Sequence, residues 1–221
     1  MKKIIIAEKN SVAQEYAKVL GVSGKTNQGY MENDLWIVTW AVGHLVTLSY
    51  PEKYREELKE WKLETLPFIP DKYKYETIAE TRKQFEIVKK LYNRPDVDAI
   101  YYAGDSGREG LYIQMLIRML AGHNAQAQEK VVWINSQTEE EILRGIREAK
   151  DWSFYDHLSD SAYLRAKEDY LMGINFSRAL TLKFGPAVAS FMNTKWSVIS
   201  VGRVMTCVLG MVVRREREIR S

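Results

Sequence analysis

Five charged side chains follow two apolar segments of the sequence, residues 4–7 and residues 97–103. They are Glu8, Lys9, Asp105, Arg108 and Glu109. Carboxylates that converge on one crevice suit a hard divalent cation such as Mg²⁺, which takes one or two carboxylates and completes its shell with water and phosphate oxygens. The lysine and the arginine would balance the charge of a phosphate. Alternatively, all five are loop charges in solvent, and the spacing alone does not decide between these interpretations.

Other polar candidates lie in the same loops. Gly104, Gly107 and Gly110 have the spacing G-x-x-G-x-x-G, which is neither the dinucleotide fingerprint nor a P-loop, so a nucleotide site is not favoured. His44 follows another apolar segment. It could donate a hydrogen bond to a phosphate, or it could be a structural hydrogen bonder at the end of a strand.

The basic side chains are concentrated toward the C-terminal end of the chain. Residues 161–221 contain 10 basic and 4 acidic side chains, and residues 170–215 contain six basic side chains and no acid. Such a stretch is typical of a surface that faces phosphates. Phe184, Phe191 and Trp196 are interleaved with these residues, and they either stack on unpaired bases or belong to a core.

The composition excludes several classes of protein. A chain of 221 residues that is 46% hydrophobic can form a real core, and its net charge of +3 argues neither for nor against nucleic acid. The single cysteine, Cys207, cannot form an intramolecular disulfide, and a reducing cytoplasm fits best. No apolar run approaches the roughly 18 residues of a membrane span, and residues 1–10 are too polar for a signal peptide.

The elements that must position the charged residues alternate along the chain. Strands are predicted at residues 4–7, 35–40, 97–103 and 130–134. Helices are predicted over residues 111–120 and after three capping patterns, Ser11 with Gln14, Thr81 with Gln84, and Thr138 with Glu141. Strands that alternate with helices imply an α/β fold with a mostly parallel, Rossmann-like sheet and helices on both faces. Function in such a sheet gathers at the carboxyl ends of the strands.

Two further segments differ from this pattern. Residues 50–75, rich in Pro, Tyr, Trp and Lys, predict a long ordered excursion. From about residue 151 no strand is predicted, and residues 163–184 predict one or two helices, so a domain boundary is expected near residue 150. The second part is therefore expected to be all-helical and partial, because residues 214–221 are helical in character with no capping residue behind them.

Several ordered motifs resemble those of the type IA DNA topoisomerases, particularly the topoisomerase III branch. They cover residues 6–13 (Ile-Ala-Glu-Lys-Asn-Ser-Val-Ala), 43–45, 103–110, 134–140, 165–181 and 200–206. The resemblance implies that residues 1–150 form a Toprim domain and that residues 151–221 form the first part of the helical DNA-binding domain. It also implies a cytoplasmic enzyme that cleaves one DNA strand through a 5′-phosphotyrosyl link, lets another strand pass and reseals the break.

The resemblance also implies a role for each charged residue of the first part. Glu8 matches a glutamate that sits at the scissile phosphate and assists proton transfer, and Lys9 matches a lysine that stabilises charge on the phosphate. Asp105 and Glu109 match acids of a Mg²⁺ site, to which Glu8 also belongs, and Arg108 matches the arginine between them.

Single-stranded DNA is the partner that the resemblance implies. His44, Arg165, Arg178 and Arg203 are the expected DNA-binding residues, the arginines lying in the helical part that lines a single-strand groove. No membrane contact and no small-molecule cofactor other than a divalent metal are expected.

The chain departs from the family pattern in ways that bear on its chemistry. Gly107 stands where the family has a metal-site aspartate, and Leu111 stands where it has a glutamate, so we expect weak Mg²⁺ binding. The nucleophilic tyrosine of the family falls well beyond residue 221, and we expect this chain alone to lack it. A divergent, non-catalytic Toprim DNA-binding module is therefore an alternative. A stand-alone Toprim nuclease or primase-like protein is disfavoured because topoisomerase-like helices follow directly.

Overall fold

The computed structural model describes residues 1–24, 28–122 and 124–221. Its strands are β1 (Lys2–Ala7), β2 (Tyr30–Glu32), β3 (Trp36–Trp40), β4 (Val46–Leu48), β5 (Tyr75–Thr77), β6 (Val97–Ala103), β7 (Gln128–Val131) and β8 (Lys150–Asp151). Its α-helices are α1 (Asn10–Val19), α2 (Arg82–Tyr92), α3 (Arg108–Ala121), α4 (Glu139–Arg147), α5 (Asp156–Phe191) and α6 (Arg203–Arg220). No helix within these ranges is both long and apolar enough to cross a membrane.

A six-stranded sheet has the order β2-β3-β1-β6-β7-β8, and β4 pairs with β5 in a separate two-stranded sheet. The central pairs β1 with β3, β1 with β6, and β6 with β7 are parallel, whereas the outer strands β2 and β8 are antiparallel to their neighbours. The prediction of a mostly parallel α/β sheet is therefore confirmed.

The core forms around the central strands. Ile4, Ile5 and Ile6 of β1 have no exposed surface, as expected for a parallel strand that is covered on both faces. Phe85 and Val88 of α2 are buried as their helical spacing predicts. Each fully buried Ile, Val or Phe side chain contributes about 1.5–3 kcal/mol through the hydrophobic effect.

Helix capping differs from the prediction. The N-cap of α1 is Lys9, and Ser11 lies within the helix, so the predicted capping box is wrong. Thr81 and Thr138 do occupy the N-caps of α2 and α4, but neither side chain makes a capping hydrogen bond. Gln84 instead donates its side-chain N–H to the carbonyls of Gly29 and Trp40, at 3.0 and 2.8 Å, and so ties α2 to the sheet.

The two antiparallel edge strands were not predicted. β2 has three residues and β8 has two, and neither carries the apolar run that marks the buried strands. The predicted strand 130–134 is also shifted, because β7 ends at Val131. Short, polar edge strands limit pairing with other chains, so their weak sequence signal has a physical cause.

The chain divides into two compact units. Unit 1 contains residues 1–47 and 75–163, and unit 2 contains residues 48–74 and 164–221. Residues 50–74 of the predicted excursion belong to unit 2, where they form three short 3₁₀ turns (Pro51–Lys53, Glu56–Lys59 and Leu63–Thr65). Asn175 of α5 fixes this excursion by accepting a hydrogen bond from the N–H of Phe68, at 2.6 Å, and donating one to its carbonyl, at 2.9 Å.

Candidate active site

Three loops of unit 1 meet at the carboxyl edge of the sheet. Ala7, the last residue of β1, is paired with Trp40 of β3 on one side and with Ala103 of β6 on the other. From β1 the strand order continues to β3 on one side and to β6 on the other. This edge is therefore a topological switch point, the usual ligand position in an open α/β sheet. The segments that follow carry Glu8, His44 and Asp105.

Glu8 connects two of these loops. The backbone N–H of Asp105 donates a hydrogen bond to Oε2 of Glu8, at 2.9 Å. The loop after β3 is held in the same place, because the N–H of Gly43 donates to the carbonyl of Glu8 at 3.3 Å. Gly43 has a φ of +71°, a conformation that suits glycine. Glu8 is thus fixed from both sides, while its Oε1 accepts no hydrogen bond from the residues that the structure describes.

Helix α3 begins in close contact with the loop that carries Asp105. A Cβ added to Gly110 would lie 2.2 Å from the carbonyl oxygen of Asp105, so only glycine permits this approach. Gln114, one turn further along the helix and 1% exposed, donates its side-chain N–H to the carbonyl of Ile6 at 3.1 Å. These two contacts fix the N-terminus of α3, and with it Arg108 and Glu109, at the edge of the sheet.

His44 contacts Glu109 rather than standing alone in the loop. Its Nε2 lies 2.8 Å from Oε1 of Glu109, and its ring packs edge-on against Tyr112 with the ring centroids 6.0 Å apart. The side chain of Glu109 is 71% exposed, so this pair is the contact that orients the carboxylate. The structure therefore brings together His44, which the sequence predicted to bind DNA, and Glu109, which it predicted to bind a metal ion.

Two basic side chains of the site have no partner among the described residues. Lys9, at the N-cap of α1, and Arg108, the first residue of α3, are both exposed. Within the described ranges neither side chain takes part in a hydrogen bond or an ion pair. A cation that is not neutralised by a neighbouring acid remains available to a phosphate, and both lie at helix N-termini, which themselves favour anions.

The carboxylates do not form a complete metal cage. In the part of the chain that the structure describes, no group of three His, Cys, Asp or Glu side chains is arranged to hold a metal ion. The position of the missing aspartate, Gly107, is open, with no atom within 4 Å of an added Cβ. Glu8 and Asp105 remain in neighbouring loops, joined by the hydrogen bond from the backbone N–H of Asp105 to the Glu8 carboxylate, and a cation there would take most of its ligands from water and phosphate.

The predicted DNA-binding arginines of unit 2 divide into two kinds. Arg203 of α6 makes a bidentate pair with Asp169 of α5, with N–O distances of 3.0 and 2.9 Å. Arg165 lies 4.0 Å from the same carboxylate. Hydrogen bonding from Arg203, aided by the charge of Arg165, lowers the pKa of Asp169. These two arginines thus share one exposed face.

Arg178 is placed elsewhere, and its position corrects the expectation that it faces DNA. It is 5% exposed, its Nη1 donates to the carbonyl of Leu58 at 2.8 Å, and its guanidinium lies over the ring of Trp61. Burial lowers the pKa of this arginine. The side chain holds the excursion of unit 2 against α5, so a phosphate does not reach it in this conformation.

The Tyr-x-Arg spacing of the family nucleophile occurs twice in the sequence, at Tyr92 and at Tyr163. Tyr92 is 1% exposed and donates its hydroxyl to Glu129, and burial raises its pKa. Tyr163 lies within α5 with its ring stacked on that of Tyr75. A nucleophile must be exposed and easily deprotonated, so Tyr92 is unsuited to the role.

Sequence reasoning missed three residues that organise these sites. Gln114 and Ser106 were not singled out, because a polar residue in a helix or loop carries no signal of the backbone group that it binds. Asp169 begins the motif Asp-x-Leu-x-Gly within residues 165–181. Its position four residues after Arg165 on a predicted helix could have indicated an ion pair.

Two family models match the chain. The Toprim domain model matches residues 3–136, and a model described as DNA topoisomerase matches residues 153–221. The chain is 41% identical over 220 residues to DNA topoisomerase 3 of Bacillus subtilis, which is all of this chain and 28% of that protein. It is 42% identical over 219 residues to DNA topoisomerase 3 of Staphylococcus saprophyticus, which is 99% of this chain and 29% of that protein.

A solved structure has the same fold. Full-length topoisomerase I from Thermotoga maritima is similar with a TM-score of 0.55 and 19% identity, over 98% of this chain and 30% of that one. At this identity the likeness concerns the fold alone. The chain thus spans less than a third of the length of the proteins that it resembles.

Proposed function

This chain belongs to the Toprim family, and we propose that it is the part of a type IA DNA topoisomerase that supplies the acidic half of the active site. All of this chain is related to DNA topoisomerase 3, a type IA isomerase, of which it covers 28%. The whole enzyme would cleave one DNA strand through a 5′-phosphotyrosyl link, pass a second strand and religate. Residues 1–150 form the Toprim domain in this proposal, and residues 151–221 begin the helical DNA-binding domain. The cytoplasm is the proposed compartment.

The observation that carries the proposal is the hydrogen bond between Glu8 and Asp105, beside which Lys9 and Arg108 form no ion pair with any residue that the structure describes. A scissile phosphate at this edge would meet two cations that offset its charge and a carboxylic acid that can transfer a proton. When the tyrosine oxygen bonds to phosphorus and the bond from phosphorus to the 3′-oxygen breaks, Glu8 would give that oxygen a proton while the phenolic proton of the tyrosine passes to solvent. Religation would reverse both transfers. General acid–base catalysis of this kind typically contributes 10²- to 10⁴-fold.

Weak binding of Mg²⁺ is part of the proposal. Glu8 and Asp105 would hold the ion, and when bound it supplies positive charge that offsets the charge of the phosphate. Glu109 is paired with His44 through a contact of 2.8 Å. We therefore assign His44 to the support of Glu109 and not to a direct DNA contact.

The partner that we propose is single-stranded DNA. Arg165 and Arg203 would contact its phosphates from unit 2, because their ion pairs with Asp169 are exposed and can exchange for a phosphate. Arg178 is left out of the proposed contacts because it is buried.

A non-catalytic DNA-binding module is the second candidate, and a specific observation favours it. Gly107 removes a carboxylate from the acidic motif, and the described residues contain no three-ligand metal group. Both candidates require DNA binding, but only the first requires that Glu8 contribute to the rate of strand cleavage and resealing.

The binding step can be tested with this chain alone. In fluorescence anisotropy it should bind a labelled single-stranded 12-mer more tightly than a hairpin duplex of the same composition, with a salt slope of about −0.7 for each phosphate neutralised. Lys9→Ala should weaken binding, and Lys18→Ala, a matched change at the other end of α1, should not. Equal affinity for single strand and duplex, or equal effects of the two lysine variants, would count against the proposal.

A further inference from the structure

A polar cavity of about 270 Å³ lies beside Asp105 in unit 1. Three segments line it: Val12 of α1, residues 104–106 after β6, and residues 134–137 after β7. The last segment is one of the motifs of the sequence, and neither the proposed metal site nor the phosphate contacts use it. Its function is therefore open.

The cavity is attached firmly to the acidic half-site. Ser106, the residue after Asp105, donates its hydroxyl to the carbonyl of Ile134 at 2.6 Å and accepts a hydrogen bond from the N–H of Ile134 at 2.9 Å. The loop that carries Asp105 and the loop 134–137 are therefore fixed to each other. A group bound in the cavity would keep a constant distance from the phosphate at Glu8.

The walls offer hydrogen-bonding groups that no described residue satisfies. The side-chain amides of Asn135 and Gln137 make no hydrogen bond within the described ranges, and Ser136 reaches only Thr138, at the long distance of 3.5 Å. An amide side chain presents a donor and an acceptor next to each other. Val12, which is 5% exposed, adds an apolar surface.

The charge around the cavity selects against an anion. Its lining contains Asp105 and no basic side chain, and α4 begins just beyond it with Glu139, Glu140 and Glu141. The volume lies slightly below the roughly 300–1,000 Å³ of pockets for drug-sized ligands. A small, neutral, flat group with both donors and acceptors satisfies all of these conditions.

We propose that this cavity binds one nucleobase of the DNA strand, next to the phosphate that Lys9 and Arg108 would contact, and that Asn135 and Gln137 read its edge. The inference rests on the proposed function, since it needs a single strand at this edge of the sheet. Asn and Gln pair bidentately with the N6 and N7 atoms of adenine. The cavity therefore gives the chain a preference for adenine at one position.

The test uses this chain and two labelled oligonucleotides, a 12-mer of thymidine and the same 12-mer with one central adenine. The adenine should tighten binding about 5- to 150-fold, the discrimination that one bidentate contact gives. Gln137→Ala and Asn135→Ala should abolish this preference while the affinity for the all-thymidine strand stays within about twofold. Gln126→Ala, at an exposed amide outside the cavity, should keep the preference.

Two results would overturn the inference. The first is equal affinity of the unmodified chain for both strands, and the second is a preference that survives in Gln137→Ala and Asn135→Ala. In either case the all-thymidine strand still binds, so the proposed function stands. If neither strand binds, the proposed function fails together with the inference. Circular dichroism of each variant verifies that it is folded, which is expected because the replaced side chains are exposed.

Discussion

Replacing Gly107 by aspartate should tighten the binding of divalent metal to this chain. Gly107 has φ of −179° and ψ of 174°, an extended conformation that any residue adopts. No atom lies within 4 Å of an added Cβ, so the aspartate enters without strain. It restores the carboxylate that the acidic motif lacks, between Asp105 and Glu109.

The size of the effect follows from the exposure of the site. Asp105 is exposed and Glu109 is 71% exposed, so the effective dielectric constant is near that of water. At about 4 Å, one carboxylate then attracts a divalent cation by about 2 kcal/mol. This corresponds to a dissociation constant that is lower by about thirtyfold.

Titration calorimetry with Mg²⁺, and with Mn²⁺ as a second probe, measures this constant. The unmodified chain should bind weakly, more weakly than micromolar in the absence of DNA, because Gly107 leaves the acidic motif one carboxylate short and the described residues contain no three-ligand metal group. Gly107→Asn is the matched control, because it adds the same shape without the charge. Equal affinities of Gly107→Asp and Gly107→Asn would refute the electrostatic reasoning, and micromolar binding by the unmodified chain would refute the weak site.

Three other outcomes are expected. Arg203→Ala should reduce the affinity for unrelated single strands alike and lower the salt slope by about 0.7. Arg215→Ala, which removes a comparable exposed ion pair of α6, should change the affinity and the slope less. A lowered melting temperature with an unchanged slope would mean that Arg203 only holds α5 and α6 together. Incubation of this chain with labelled oligonucleotide should give no protease-sensitive adduct on a denaturing gel, and a shifted band would show that one of its tyrosines is a nucleophile. Burial alone would raise the pKa of Glu129, but hydrogen bonds from Tyr92, Arg118 and Tyr102 lower it below the ordinary value of 4.5. The ionised carboxylate therefore stabilises the fold above about pH 4.5, and this stabilisation is lost as the pH falls through the lowered pKa. Glu129→Gln should cost about 1–3 kcal/mol at neutral pH and make unfolding less dependent on pH between 5 and 3, and parallel acid-unfolding curves for the two proteins would contradict this.

The buried strands and the position of the acidic residues could be predicted because they depend on local patterns. The predicted strand 97–103 coincides with β6, and Glu8 and Asp105 lie at the same sheet edge because parallel strands end together. The capping box failed at Ser11, which lies inside α1, whereas Thr81 and Thr138 occupy the predicted N-caps without a capping hydrogen bond. Gln84, the predicted partner of Thr81, instead binds the carbonyls of Gly29 and Trp40.

Long-range pairing could not be predicted from the sequence. The bond between His44 and Glu109 joins residues 65 positions apart, and the bond from Arg178 to Leu58 joins residues 120 apart. A basic stretch indicates a surface on average, but it does not show which arginine is turned inward to satisfy a backbone carbonyl. For this reason Arg165 and Arg203 fit the predicted exposed face, while Arg178 does not.

In the proposed function, Glu8 assists strand cleavage by a tyrosine that is not among those of residues 1–221. The most direct test replaces the matching segment of a DNA topoisomerase 3 relative with this chain and measures relaxation of negatively supercoiled plasmid in Mg²⁺. The chimera should relax the plasmid, and Glu8→Gln in the same chimera should slow the reaction by about 10²-fold or more while DNA binding is retained. A chimera in which Glu8→Gln relaxes the plasmid at the unmodified rate would contradict the proposed role of Glu8 in strand cleavage.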